Sequence, residues 1–429
     1  MSLKLLDAIV RETTGFPAIV QVSDDGSKLF AVYEITIDPE STTLAAELFD
    51  ISSGKLKSLA TFDATEQFNE GFLNVDSGAA SSDFCKFSLV LDDWQGAADP
   101  ANPALGRMRV LLLKRVGDEL VVEVTETFGD LNSTELVVQG YTPLGGTFVD
   151  DDQAIVVTAV TSPVTIEIEP GTAEHSTLWL LNSTTLKTLS KLTVEKVFTQ
   201  AAVALDTKHH SNYFAITTSQ GALDFQNLPG NWDSPHQLEV YRVKDCEVKL
   251  VAEQELPQGA LSIAAAKVPG GWKLFVGTTT ALLETQKATI PVPNELNTSA
   301  DTEGKEFLEF LFTRKGKELA LIGSYNTDSS IDGIAYASES ETIFISQLAL
   351  PQPEYGPSFF TFGRFNCDQF ENLAFPRATG GLVNFALNNA ETRLVVGSAS
   401  TNYNGDEGLN PVDSDLPIYN NLLLYKFTA

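Results

Sequence analysis

The chain has 429 residues, 43% hydrophobic and 20% charged with a mean hydropathy of -0.01, which allows a packed core and excludes a membrane-embedded protein. Against 57 Asp and Glu stand only 28 Lys and Arg, a formal net charge of -29. Such a surface repels nucleic-acid phosphates and anionic lipid headgroups, and suits cationic partners, metal ions or plain solvation.

Cys85, Cys246 and Cys367 are scattered, with no C-x-x-C, so a disulfide framework is not expected. Residues 1–10 lack the basic-then-apolar pattern of a signal peptide, and no apolar run reaches the ~20 residues that span a bilayer. The expectation is a soluble, cytoplasmic protein that binds neither nucleic acid nor membrane.

In chain order the periodicity is two almost throughout, in runs of Val, Ile, Leu, Phe and Thr broken by Gly, Asp, Asn and Pro. Two kinds of hairpin alternate. The first is apolar with a tight polar turn: 18–33, a fragment at 84–91, then 146–160, 201–218, 261–278, 308–325 and 382–398. The second alternates apolar with polar, as a half-exposed pair should: 44–62, 107–128, 178–198 and 238–256. Short segments at 65–72 and 368–373 read as single helical turns.

An apolar hairpin followed by an amphipathic one makes a four-stranded unit, the blade of a β-propeller. The units fall near 17–62, 84–128, 146–198, 200–257, 260–291, 307–362 and from 381 onward. This predicts an all-β fold, one propeller domain over 1–429 with seven four-stranded blades; irregularity in the fifth and sixth leaves six or eight open. The last unit is one strand short, and Leu3–Glu12 is a strand with no partner in the first. Pairing the two closes the ring and removes an open edge.

The stretches VSDDGSKLFAVYE from Val22, ELFDISSGKLKSLATF at 47–62, NFALNNAETRLVVGSAS at 384–400 and NNLLLYKF at 420–427 resemble the repeat of lactonase-type seven-bladed propellers, with its S-x-D-G-x-x-L turn and G-x-L outer turn. The resemblance implies the propeller fold and, where activity is present, lactone chemistry by acidic, Arg and His residues near the axis.

Connections between second and third strands, and from one unit to the next, share one face of a propeller and are long here, among them 34–42, 63–83, 92–106 and 129–145, which marks that face as functional. His175 and His236 stand there as candidate acid–base groups or ligands, and equally as structural residues beside a strand. His209 and His210 fall in a turn on the opposite face. Arg364 and Arg377 share the 362–380 segment with Cys367, Asp368 and a cluster of Phe, and can clamp a carboxylate, while the Phe residues pack the loop. Trp94 and Trp232, with Tyr325 and Tyr403, are candidate contacts for a partner or ligand.

Asn402, Asn404, Asp406 and Asp413, with Glu407 and Asp415 close by, form the densest oxygen cluster. They offer ligands for a hard divalent cation such as Ca²⁺, without the spacing of a defined calcium loop. There is no G-x-S-x-G, no P-loop and no zinc spacing. Two readings stand: a binding platform for an unknown protein or small molecule on the long-loop face, or a lactonase-like hydrolase or isomerase.

Overall fold

The computed structural model describes residues 2–12, 16–38, 41–64, 72–94, 107–129, 137–165, 174–205, 212–222, 232–278, 306–327, 331–347, 359–366, 369–373, 383–388, 392–400 and 419–428. Among them every regular element is a strand. The N-terminal strand is β1 (Ser2–Glu12), and antiparallel meanders follow. The first is β2 (Phe16–Val22), β3 (Lys28–Asp38), β4 (Ser41–Asp50) and β5 (Lys57–Asp63). The second is β6 (Phe72–Ala80), β7 (Lys86–Trp94), β8 (Arg107–Val116) and β9 (Glu119–Phe128). A single parallel bridge, Thr61 to Glu119, joins these two into an eight-stranded sheet.

Next come β10 (Val137–Val149), β11 (Ala154–Thr165), β12 (His175–Asn182) and β13 (Thr188–Val194). In the following sheet two short pieces, β14 (Val197–Phe198) and β15 (Val203–Ala204), both pair β16 (Tyr213–Ala222), and β17 (Trp232–Lys244) and β18 (Glu247–Leu256) complete it. The chain continues through β19 (Ala260–Val268), β20 (Gly271–Thr278), β21 (Glu306–Thr313) and β22 (Glu318–Asn326). The sheet of β23 (Ile331–Ala337), β24 (Thr342–Gln347), β25 (Phe359–Asn366) and β26 (Gln369–Leu373) follows. Last are β27 (Val383–Leu387), β28 (Arg393–Ser400) and β29 (Tyr419–Thr428), with β1 as their fourth strand.

Contacts divide the chain into two compact units, one of Met1–Leu29, Phe49–Lys57 and Gln258–Ala429, the other of Phe30–Leu48 and Ser58–Pro257. Within each, sheets stack face to face. In the second unit, Ile155, Val157 and Ala159 of β11 point to Val90, Met108, Val110 and Leu112, while the alternate residues Ala154 and Val156 point to Phe198, Phe214 and Ile216. A strand buried on both faces is apolar at nearly every position, which is why β11 reads AIVVTAV, its one polar side chain, Thr158, donating to the Gly145 carbonyl at 3.3 Å. In the first unit, Phe275 and Phe307 pack on Ile331, Ile343 and Ile345, and Phe344 packs on Leu394, Val396 and Tyr425.

The tight turns repeat one polar device. Ser23 Oγ donates to Asp25 Oδ1 at 2.7 Å and accepts from the Lys28 amide at 2.8 Å. Ser81, Asp83 and Lys86 do the same at 2.6 and 3.0 Å. Neighbouring turns are stapled: Asn388 Nδ2 donates to the Asp24 carbonyl at 3.2 Å, and Asp152 Oδ2 accepts from the Ser82 amide at 2.9 Å.

Third strands carry buried glutamates held by lysines. Glu239 on β17 is fully buried, pairs with Lys196 and accepts from Tyr241 Oη at 2.6 Å. Beside that carboxylate, burial pushes the Tyr241 phenol up. Glu309 on β21 pairs with Lys273 at 2.6 Å and accepts from Tyr325 Oη at 2.9 Å.

β1 pairs antiparallel with β29 from Ser2↔Thr428 to Glu12↔Tyr419. Leu6 is the extra residue of a bulge there, and its side chain lies against Gly54. Asp7 accepts the Leu56 amide at 2.9 Å and meets Lys55 at 3.1 Å. The Leu56 amide, with the Lys55 ammonium, holds the Asp7 carboxyl below its ordinary value.

Several boundaries differ from the sequence reading. The fifth and sixth units are not 260–291 and 307–362. Strands β21 and β22 complete the fifth sheet, and the sixth is β23 to β26, because residues 279–305 stand between the second and third strands of the fifth. The 362–380 segment is not one loop: 359–366 and 369–373 are paired strands, so 368–373 is not a helical turn. Of the helical turn expected at 65–72, residues 65–71 lie outside the described residues. Strand β6 begins at Phe72 and β10 at Val137, inside segments read as loops. These first strands contain Asp, Ser and Gly where they bulge, which hides their alternation.

Candidate functional site

Four first strands carry a bulge against their second strands. The extra residues are Asp76 on β6, Leu144 on β10, Leu261 on β19 and Asp332 on β23. A bulge re-aims a side chain out of the alternating pattern. Each is followed by a small residue, Ser77, Gly145, Ser262 or Gly333, where adjacent chain comes close. A Cβ on Gly145 would lie 2.6 Å from Ser77 Cβ and 2.7 Å from Ala201 Cβ, and the Gly146 amide donates to Ser77 Oγ at 3.1 Å.

At the first of these bulges three carboxylates converge: Asp76, Asp92 from β7 and Glu34 from β3. Asp76 accepts the Asp92 amide, and Glu34 accepts the Val75 amide. The Asp76 side chain is open to water on one side and ringed by protein on the others. Poor solvation first, and the negative charges of Asp92 and Glu34 second, hold its carboxyl well above the ordinary value. Burial likewise raises Glu34. A carboxyl that holds its proton more tightly than usual is better suited to donate a hydrogen bond or a proton than an ordinary surface Asp. Sequence reasoning missed this trio because Glu34 and Asp76 fell in segments read as loops, and Asp92 at the start of another. The signal that finds them is the recurrence of a bulge residue before Ser or Gly in four first strands.

The sequence-derived candidates fall in different places. His175 opens β12 opposite Thr161, half-buried. His236 lies on β17, and its Nδ1 is 2.7 Å from Oγ of Ser219, the residue facing it on β16. Ser219 is 1% exposed and His236 is half-buried, so the serine end of this pair is closed to solvent. Arg364 lies on β25 between Thr342 and Glu371. Trp94 ends β7 and Trp232 begins β17, each flanking a connection between second and third strands. Tyr325 is on β22, stacked on Phe307 at 4.9 Å with its hydroxyl on Glu309. Arg377, Tyr403, Asn402, Asn404, Asp406 and Asp413 lie outside the described residues, as do His209 and His210. Among the described residues no group of three His, Cys, Asp or Glu has the geometry to hold a metal ion.

The connections themselves are unequal. Within sheets, first-to-second and third-to-fourth strands are mostly joined by tight turns such as 23–27, 117–118 and 245–246. Second and third strands are joined by 95–106, 166–174 and 223–231 in one unit, and by 279–305, 348–358 and 401–418 in the other; in the first meander, β3 and β4 are separated by 39–40 alone.

Successive antiparallel meanders of four strands, stacked face to face within each unit and in four cases opening on a bulged strand, decide the architecture. The fold is a β-propeller. The structure is similar to the crystal structure of RRP9 WD40 repeats, with a TM-score of 0.53 and 10% identity over 100% of both chains. It is also similar to the structure of U3-55K, with a TM-score of 0.51 and 11% identity over 99% of this chain and 98% of that one. At such identity the likeness speaks for the propeller fold alone. No protein-family model matches the chain, and no curated protein matches its sequence. Among the described residues no helix is long and apolar enough to cross a membrane.

Proposed function

We propose that this propeller is a seven-bladed binding platform that presents a protein or small-molecule partner on the end carrying its second-to-third-strand connections. The observation behind this reading is the inequality of those connections. In each unit the long ones recur at the same end of successive sheets, and Trp94 and Trp232 stand at their roots. A rigid stack of sheets holding variable connections is the usual way a scaffold carries recognition. Counting the eight-stranded sheet as two blades gives the seven. The net charge of -29 favours a cationic partner over nucleic acid or membrane, and the sparse cysteines suit a soluble, cytoplasmic protein.

A second reading, a lactonase-like hydrolase or isomerase, is favoured by one observation: the Glu34, Asp76 and Asp92 carboxyls converge, and Asp76 and Glu34 hold their protons more tightly than usual. In that reading Asp76 is the general acid.

A thermal-shift screen against Ca²⁺, Mg²⁺, Zn²⁺, EDTA, lactones and sugar acids separates the two, since a ligand of the folded state raises the melting temperature by mass action. The platform predicts no lactone shift, and loss of a captured partner when 279–305 is replaced by a short Gly-Ser linker. A lactone shift abolished by Asp76→Asn establishes the enzyme instead. A Ca²⁺ shift abolished by Asp406→Asn with Asp413→Asn places a cation in the 401–418 segment.

A further inference from the structure

The outermost strand of a blade shows water a row of unpaired backbone groups, and proteins guard such edges with charge. Here β9 carries Glu119, Glu123 and Glu126, β13 carries Lys191, and β18 carries Glu247, Lys249, Glu253 and Glu255. Strand β22 is unlike them. It ends the order β19-β20-β21-β22, and after Glu318 its sequence LALIGSYN has no charge.

A bulge explains part of what β22 exposes. Outer strands repeatedly carry one extra residue: Leu6 on β1, Glu123 on β9, Leu189 on β13, Val251 on β18 and Ile322 on β22. On β9 that residue is charged, and on β1 it is covered by Gly54. On β22 it is Ile322, 48% exposed, next to Leu321, 51% exposed, and the exposed Ala320. Three consecutive open apolar residues on an unpaired edge are a liability unless something covers them.

The turn leading into this strand supplies a second, independent feature. Arg314, Lys315 and Lys317 are all exposed, and none makes an ion pair among the described residues. Three uncompensated cations side by side stand out in a chain of net charge -29. They face the N-terminal end of β22. A strand adding antiparallel to this edge would bring its C-terminal end beside them.

From this juxtaposition we infer that β22 and the 314–317 turn form a second docking edge, distinct from the long-connection end. Its occupant is an extended segment of another protein that adds antiparallel as a fifth strand. Apolar side chains of that segment cover Leu321 and Ile322, and carboxylates near its C-terminal end meet the three cations. A second copy of this chain is disfavoured, because two bodies of this charge repel.

The test uses the full chain and a fluorescein-labelled peptide of about nine residues, alternating Val and Thr and ending in a run of Asp, read by anisotropy. Saturable binding is expected, weakened about tenfold or more by Ile322→Lys and by joint Arg314→Glu, Lys315→Glu and Lys317→Glu. The same peptide ending in Lys should bind about tenfold more weakly. Because these side chains are exposed, the variants should melt as the parent does, and amide exchange should slow at 318–326 when peptide is added. Absence of saturable binding, indifference to both sets of substitutions, or protection elsewhere overturns the proposal. Concentration-dependent dimers of the free chain that Ile322→Lys abolishes give the edge to a second copy and also overturn it.

Discussion

At the scale of single residues, the side chains that matter most are carboxyls set beside other charged groups. Asp76 binds its proton more tightly in the folded chain than in the unfolded one. Its contribution to stability is therefore complete below the unfolded value, about 3.9, and is lost as pH rises toward the folded value. Asp76→Asn should raise the melting temperature at pH 7 and change it little at pH 3, and melting curves of both proteins at the two values check this. Glu239 is buried and paired with Lys196, so Lys196→Ala leaves its carboxyl buried without that partner and should cost about 3–5 kcal/mol in urea denaturation. A loss under about 1 kcal/mol would show that Tyr241 and water suffice to hold the charge. The histidines teach a related point. His236 was legible as a candidate from its position, yet its 2.7 Å contact runs to a buried serine on the facing strand, which no spacing in the sequence reveals.

At the scale of elements, strands with a uniform environment were readable and strands that bulge were not. β11 and β12 are buried on both faces, and β9 and β18 are half-exposed, so their patterns announce them. β6 and β10 hold Asp, Pro, Ser and Gly at their bulges and pass for loops. The bulge is nonetheless structural. Gly145 has φ +146° and has no room for a Cβ beside Ser77 and Ala201. Gly145→Ala should destabilise the protein by about 1–3 kcal/mol through crowding alone. A chemical-denaturation midpoint equal to the parent's would show that Ser77 moves aside freely. Strand β25 makes the same lesson from another direction: Arg364 sits on a paired strand, although its sequence neighbours suggested a loop clamp.

At the scale of the molecule, the N-terminal strand is the fourth strand of the last sheet. Leu3, Leu5 and Ala8 pack on the cluster around Phe344, Tyr425 and Phe427, and Asp7 ties the strand to the 51–56 turn. Deleting residues 1–11 uncovers that cluster and should cost on the order of 5 kcal/mol, a few buried side chains' worth. A truncated chain that melts with the parent would refute the role of this strand. By itself the sequence determined the all-β class, the four-strand repeat and the pairing of the two ends, because alternation and turn chemistry are local and each strand carries its own record of burial. Only the tertiary structure decided which strands share a sheet across residues 279–305, that Glu34, Asp76 and Asp92 meet, and that β22 keeps an uncharged edge. Those depend on the register of bulges and on neighbours distant in sequence, and a pattern of period two contains no trace of either.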